Sequence, residues 1–156
     1  RQMCIRDRYK ISSSKIRSLI QSGKVKLVSK IMGRPWSITG RVVKGKKFGR
    51  RIGFPTANIK IFNQIKPMFG VYSVKILFNK KTYKGIANFG VRPTFGSSSP
   101  ILEVNVFEKN LNFYNKDIKV LFIDFIRKEK KFKDSTMLVS QIKKDIKVAK
   151  ISLNKK

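Results

Sequence analysis

The segment Gly45-Lys-Lys-Phe-Gly-Arg-Arg-Ile-Gly-Phe-Pro-Thr-Ala-Asn58 joins three evenly spaced glycines to a run of cationic side chains and contains no carboxylate. Glycines at such spacing let backbone N–H groups come close to a ligand, and successive N–H groups in a turn form a concave anion site. Gly45, Lys46, Gly49 and Gly53 are therefore candidates to cradle a polyphosphate. Thr56 and Asn58 add two neutral oxygens of the kind that a partly hydrated Mg²⁺ accepts beside phosphates. A plain basic hairpin loop would have the same spacing. Neither G-x-G-x-x-G nor G-x-x-x-x-G-K-[ST] is present, so the segment is not one of the common nucleotide loops.

Carboxylates are scarce enough to restrict the chemistry. No Asp or Glu occurs between Asp7 and Glu103, and histidine is absent from the whole chain. That excludes imidazole bases, His-based triads and His-ligated zinc. Glu103 sits in the alternating run Ile101 to Phe107, with Leu102, Val104 and Val106 on one face and Glu103, Asn105 and Phe107 on the other. On such a strand a glutamate is either surface decoration or the wall of a ligand site. Among cations and phosphates it would stay ionised and could take a proton from a hydroxyl. Phosphoryl transfer unites these parts: Lys46, Lys47, Arg50 and Arg51 with the glycines on a triphosphate, Thr56 and Asn58 on the metal, Glu103 on an attacking alcohol.

Two further stretches suit a cover over a ligand. Asn88-Phe-Gly-Val-Arg-Pro-Thr-Phe-Gly96 is rich in Gly and Pro, although an ordinary hairpin connection would read the same. Arg127 and Glu129, in the run Phe125-Ile-Arg-Lys-Glu-Lys-Lys-Phe132, suit either a flap or a solvated charge run.

The elements that must hold these residues follow from periodicity. Ser12-Ser13-Ser14 starts a helix through Ile16, Leu19 and Ile20 that Gly23 closes, and a second covers Lys26 to Met32 before Gly33. From Trp36 the period becomes alternating. Strands are expected over Ser37–Lys44, Val71–Phe78 and Thr82–Asn88 (with Asn79-Lys80-Lys81 as the turn between the last two), and Ile101–Phe107. Ile118–Phe125 is apolar enough for burial on both faces. Ser135–Lys150 carries the stripe Leu138, Val139, Ile142, Ile146 and Ala149, with Asp134 or Ser135 as cap and a lysine-rich last turn. Short antiparallel strands closed by one helix imply a mainly β fold, a small barrel.

The chain has 156 residues, is 41% apolar, and can bury one good core. Its net charge of +29 suggests a polyanion partner, yet the cations are spread from end to end. Abundant Lys, Ile, Asn and Phe match AT-biased coding, so the charge is a weak guide. A single cysteine, Cys4, permits no internal disulfide and suits a reducing cytoplasm. No apolar run reaches membrane-spanning length and no signal peptide is evident.

Five ordered motifs carry a specific resemblance. Gly53-Phe-Pro-Thr-Ala-Asn58, Ala87-Asn-Phe-Gly-Val-Arg-Pro-Thr-Phe-Gly96, Leu102-Glu-Val104, Ile126-Arg-Lys-Glu-Lys-Lys-Phe132 and Gln141-Ile-Lys-Lys-Asp-Ile146 together resemble the riboflavin kinase domain of the bacterial bifunctional riboflavin kinase/FMN adenylyltransferase (FAD synthetase) family. The likeness runs from about residue 9 to residue 150. It implies a six-stranded antiparallel Greek-key β-barrel with a C-terminal helix and short N-terminal helices. It also implies transfer of the ATP γ-phosphate to the riboflavin 5′-hydroxyl, giving FMN and ADP with Mg²⁺. In that pattern Thr56 and Asn58 match the metal and nucleotide positions and Glu103 the catalytic base. Asn88, Gly90, Arg127 and Glu129 fall in loops that close over flavin and nucleotide.

The chain departs from the pattern in two places. Asn105 stands where many relatives have histidine. Ile11-Ser-Ser-Ser-Lys-Ile-Arg17 resembles the last phosphate-contacting motif of the adenylyltransferase half, whose histidine signature cannot exist here. The expected organisation is then residues 1–8 as a stretch out of texture with the rest, 9–35 as the end of the adenylyltransferase half with linker helices, 36–151 as the kinase domain and 152–156 as a frayed tail. Kinase activity without adenylyl transfer is expected, with flavin and adenine nucleotides as partners and neither a specific nucleic acid nor a membrane. A basic nucleic-acid-binding barrel and a flavin-binding barrel without catalysis are the competing readings.

Overall fold

In the computed structural model, residues 12–45, 47–61, 64–91 and 99–155 are described. Helix α1 (Ser13–Gln21) is capped by Ser12, whose side chain accepts from the Lys15 N–H, and α2 (Val25–Met32) ends at Gly33 in the left-handed conformation. Six strands follow: β1 (Ser37–Val43), β2 (Ala57–Lys60), β3 (Gly70–Phe78), β4 (Lys81–Val91), β5 (Pro100–Val106) and β6 (Asp117–Arg127). A single helical turn, α3 (Phe48–Arg51), lies between β1 and β2, and α4 (Ser135–Asn154) closes the chain.

The strands close into a barrel in the order β1-β2-β5-β4-β3-β6, and every pairing is antiparallel. Strands β3, β4 and β5 form a meander and β6 returns beside β3, which is Greek-key connectivity. Asn79 and Lys80, both at positive φ, make the tight turn between β3 and β4. Alternation then sorts the side chains. Ile38, Ile59, Tyr72, Val74, Phe89, Leu102, Val104, Val120 and Phe122 fill the interior. Tyr72 packs edge-on against Phe122 and Phe125, and Trp36 lies against Phe122.

The outer face is partly covered. Helix α2 lies on β6, and α4 runs along β3, β4 and β6. Val71 and Ile86 meet Ala149 of α4 in a second apolar cluster, with Ser73 bonded to Ser152 at 3.0 Å and Lys84 to Asn154 at 2.6 Å. The expected double burial of β6 thus takes the form of a sealed inner face, with Ile118, Val120 and Phe122 buried, and a half-covered outer one.

Three expectations are corrected. A strand, β2, follows the glycine segment directly. Phe89 to Val91 belong to β4 rather than to a loop, and Phe89 is fully buried in the barrel. Helix α4 continues past Lys150 to Asn154, because Leu153 extends the buried stripe one turn beyond Ala149, so its last turn carries no lysine.

Candidate functional site

Barrel register brings the isolated glutamate to the glycine segment. Asn58 of β2 pairs with Glu103 of β5, Glu103 with Asn88 of β4, Asn88 with Val71 of β3, and Val71 with Arg127 of β6. Directly paired residues share a face, so these five residues form one outer row across five strands. Neighbouring strands lie about 4.8 Å apart, which puts Arg127 roughly 14 Å around the barrel from Glu103.

Asn58 and Glu103 are both 8% exposed. With the Asn58 amide turned to satisfy both neighbours, its nitrogen donates to Glu103 Oε1 at 3.2 Å and its oxygen accepts from the Gly45 N–H at 3.3 Å. Gly45 has to be glycine for this arrangement, since any Cβ there would collide with the Asn58 amide. Asn105, two residues beyond Glu103 on the same face, donates to the Pro55 carbonyl at 2.7 Å.

A cavity of about 530 Å³ opens over this row, a size suited to a small organic ligand. Phe48, Ile52, Phe54, Val71, Ile86, Leu138 and Ile142 give it apolar walls; Thr56, Asn88, Glu103, Asn105, Arg127 and Asp145 give it polar groups. Asn88 Oδ1 is buried and has no hydrogen-bond partner among the described residues, so it presents an acceptor to whatever fills the space.

Of the residues expected to bind a nucleotide, Gly49 and Thr56 line the cavity, while Gly45 and Asn58 stand directly behind it. Lys46 lies outside the described residues. Gly53, at φ +90°, shapes the turn but is not part of the wall. The expected concave nest of free amides takes another form. The N–H groups of Arg51, Ile52, Gly53 and Phe54 are spent inside the α3 turn, on the carbonyls of Lys47, Phe48, Arg50 and Gly49. Neither Arg50 nor Arg51 lines the cavity.

Of the four flavin candidates, Asn88, Arg127 and Glu129 line the cavity, and Gly90 supports Glu129, whose carboxylate occupies the place a Cβ on Gly90 would need. Residues 92–98 of the Gly/Pro loop lie outside the described residues. Among the described aromatics of the two Gly/Pro segments, Phe89 is core and Phe54 lines the cavity, so neither offers the open stacking face that a nucleic-acid reading requires.

Asn105 and Asp145, which line the cavity, and Gln141, which donates to Asp145, were not among the sequence candidates for the site. Asn105 stood out only as a departure from a pattern. Gln141 and Asp145 lie with Leu138, Ile142 and Ala149 on the barrel-facing side of α4, and an acidic residue within an apolar stripe was the available signal.

Comparison with known proteins agrees with the geometry. A family model for riboflavin kinase (Flavokinase) matches residues 32–153. The bifunctional riboflavin kinase/FMN adenylyltransferase of Buchnera aphidicola subsp. Schizaphis graminum is 44% identical over 153 residues, covering 96% of this chain and 49% of that protein. The Haemophilus influenzae protein of the same description is 41% identical over 155 residues, covering 99% and 50%. Among solved structures, one described as a macrolide-efflux protein from Streptococcus pneumoniae superposes with a TM-score of 0.83 at 37% identity, over 90% of this chain and 46% of that one. Riboflavin kinase from Trypanosoma brucei, at 23% identity and a TM-score of 0.56 over 78% and 81% of the two chains, shares the fold. The chain belongs to the riboflavin kinase family. It spans about half the length of the curated relatives it matches.

Proposed function

We propose that this chain is a riboflavin kinase, carrying the ATP γ-phosphoryl group to the 5′-hydroxyl of riboflavin to form FMN and ADP. The observation that carries this reading is the Asn58–Glu103 pair at the wall of the cavity, with Thr56 at the same end. The acceptor hydroxyl is placed at Glu103, which takes its proton as the oxygen bonds to the γ-phosphorus and the bond from that phosphorus to the β,γ-bridging oxygen breaks. Gly49 and the α3 turn shape the nucleotide end, and Asn88 offers its unpaired oxygen to a hydroxyl or N–H of the flavin. The apolar wall of Ile86, Leu138 and Ile142 accepts a ring system and excludes water from the transfer.

Thr56, in the cavity wall, fits a nucleotide-borne Mg²⁺, and Asn58 behind it would offer the second lone pair of an oxygen that already accepts from the Gly45 N–H. They supply neutral oxygens, and such an ion keeps most of its waters and needs only one or two protein ligands besides phosphate. Bound there, it would neutralise charge on the transferring phosphates. No set of three His, Cys, Asp or Glu side chains able to hold a metal occurs among the described residues.

Adenylyl transfer is not assigned to this chain. Residues 9–35 are read as the end of an adenylyltransferase half with linker helices, α2 lying on β6 and α1 on α2. A cytoplasmic setting agrees with the single cysteine, and no helix among the described residues is long and apolar enough to cross a membrane. The test is direct: purified chain is incubated with riboflavin, ATP and Mg²⁺ and the flavins are separated. FMN without FAD is expected; no FMN would refute the assignment.

A further inference from the structure

Asp145 is the most deeply buried carboxylate among the described residues, at 3% exposure, and the transfer step gives it no task. Both its oxygens accept from Arg127 Nε at 3.0 Å, and Arg127 Nη2 approaches Oδ2 at 2.8 Å. Gln141, one helical turn earlier, donates to Oδ1 at 2.8 Å. Arg127 in turn donates Nη1 to the Lys128 carbonyl at 2.9 Å and lies over the Phe132 ring at 5.9 Å. One guanidinium therefore ties α4 to the segment that follows β6, and Phe132 of that segment lines the cavity together with Arg127 and Asp145.

A buried ion pair is weak evidence for stability, because desolvation offsets much of the attraction and an apolar pair often does as well. Its fixed fork geometry, by contrast, is well suited to placing groups. We propose that Asp145, braced by Gln141, is a positioning residue: it fixes Arg127 and the 128–132 segment as the wall against which the ring of the acceptor substrate is seated.

Distance favours the ring end. The pair is neutral as a whole, but Glu129, Lys130 and Lys131 of the adjoining segment also line the cavity, so the choice of a planar heterocycle with carbonyl acceptors rests on position and on the donors of Arg127. Of the five guanidinium hydrogens, the contacts above engage those on Nε, one on Nη1 and one on Nη2, leaving one on each Nη to meet such an acceptor. Arg127 also stands roughly 14 Å around the barrel from Glu103, well away from the chemical step.

The inference rests on the kinase reading, and its test separates the two. Riboflavin affinity is measured by quenching of flavin fluorescence without nucleotide, and KM and kcat are measured for both substrates. Asp145→Asn is expected to raise the Kd and KM for riboflavin roughly tenfold, while kcat and the KM for Mg-ATP stay within about twofold. Gln141→Leu keeps the ion pair, is expected to move the same constants by less, and serves where Asp145→Asn does not fold. Unchanged riboflavin affinity in the folded variants, or an equal loss for both substrates, overturns the proposal. A wild-type chain that neither binds nor phosphorylates riboflavin overturns the kinase reading itself, before any variant is made.

Discussion

The Asn105 side chain donates to the Pro55 carbonyl at 2.7 Å, so the turn that presents Thr56 hangs from the strand that carries Glu103. On the proposed assignment, the metal-side Thr56 and the base Glu103 are thereby held to one strand, β5. Asn105 fills this role at the one motif position where many relatives are expected to have histidine; either side chain has an N–H to give.

Removing that bond should loosen the Thr56 end without touching Glu103. Asn105→Leu is expected to raise the KM for Mg-ATP about three- to tenfold, in line with one net hydrogen bond of about 1 kcal/mol. Riboflavin affinity should stay near wild type. Steady-state kinetics with each substrate varied in turn checks this, and Asn105→His should restore most of the loss.

Glu103→Gln keeps the shape and the Asn58 contact but removes the proton acceptor. Turnover should fall by roughly 10²–10⁴-fold. Riboflavin binding, read by fluorescence, should change little. An active variant would take the base assignment away from Glu103.

Gly45→Ala places a methyl group where the Asn58 amide now lies. The amide is the end of a flexible side chain, so the barrel should fold and the cost should fall on function. The expected outcome is a wild-type-like melting curve with weakened Mg²⁺ dependence and nucleotide affinity, compared by thermal melts and Mg²⁺ titrations of activity.

Tyr72 predicts an alkaline limb of stability. Burial raises its phenol pKa above the usual 10.0, while the unfolded chain ionises at the ordinary value. Its stabilising contribution is therefore complete below about pH 10 and is lost as pH rises beyond that, because only the unfolded state releases the proton readily. Tyr72→Phe also forfeits the bond to the Met68 carbonyl and should cost about 1 kcal/mol at neutral pH. Urea melts of both proteins between pH 8 and pH 11 should show the gap narrowing above about pH 10.

Legibility followed the range of the interactions. Helices α1, α2 and α4 and strands β1 and β3 to β6 were readable because caps, turn residues and alternating apolar positions act locally. Asp134 caps α4 as expected, accepting from the Met137 N–H at 2.8 Å. Strand β2 was not readable: Ala57-Asn-Ile-Lys60 is short and becomes a strand through its partners on β1 and β5. The glycine segment suggested a nest of free amides, but the N–H groups of Arg51 to Phe54 are spent on carbonyls of the same short turn, α3, which the glycine spacing did not reveal. Glu103 and Asn58 were identifiable by type and motif, whereas their mutual contact depends on register between strands distant in sequence. Arg127 was expected to serve the ligand alone; its tie to Asp145 spans two elements that no local pattern connects.

The outer row draws Asn58, Glu103, Asn88 and Arg127 from four different strands, and no two of them are sequence neighbours. A β4–β5 hairpin alone would carry Asn88 beside Glu103, and only the closed ring brings Asn58 and Arg127 into the same row. Ligand occupancy and completion of the fold are thus one thermodynamic event viewed from two sides. Flavin and nucleotide should protect the chain against unfolding in proportion to how far their concentrations exceed their dissociation constants.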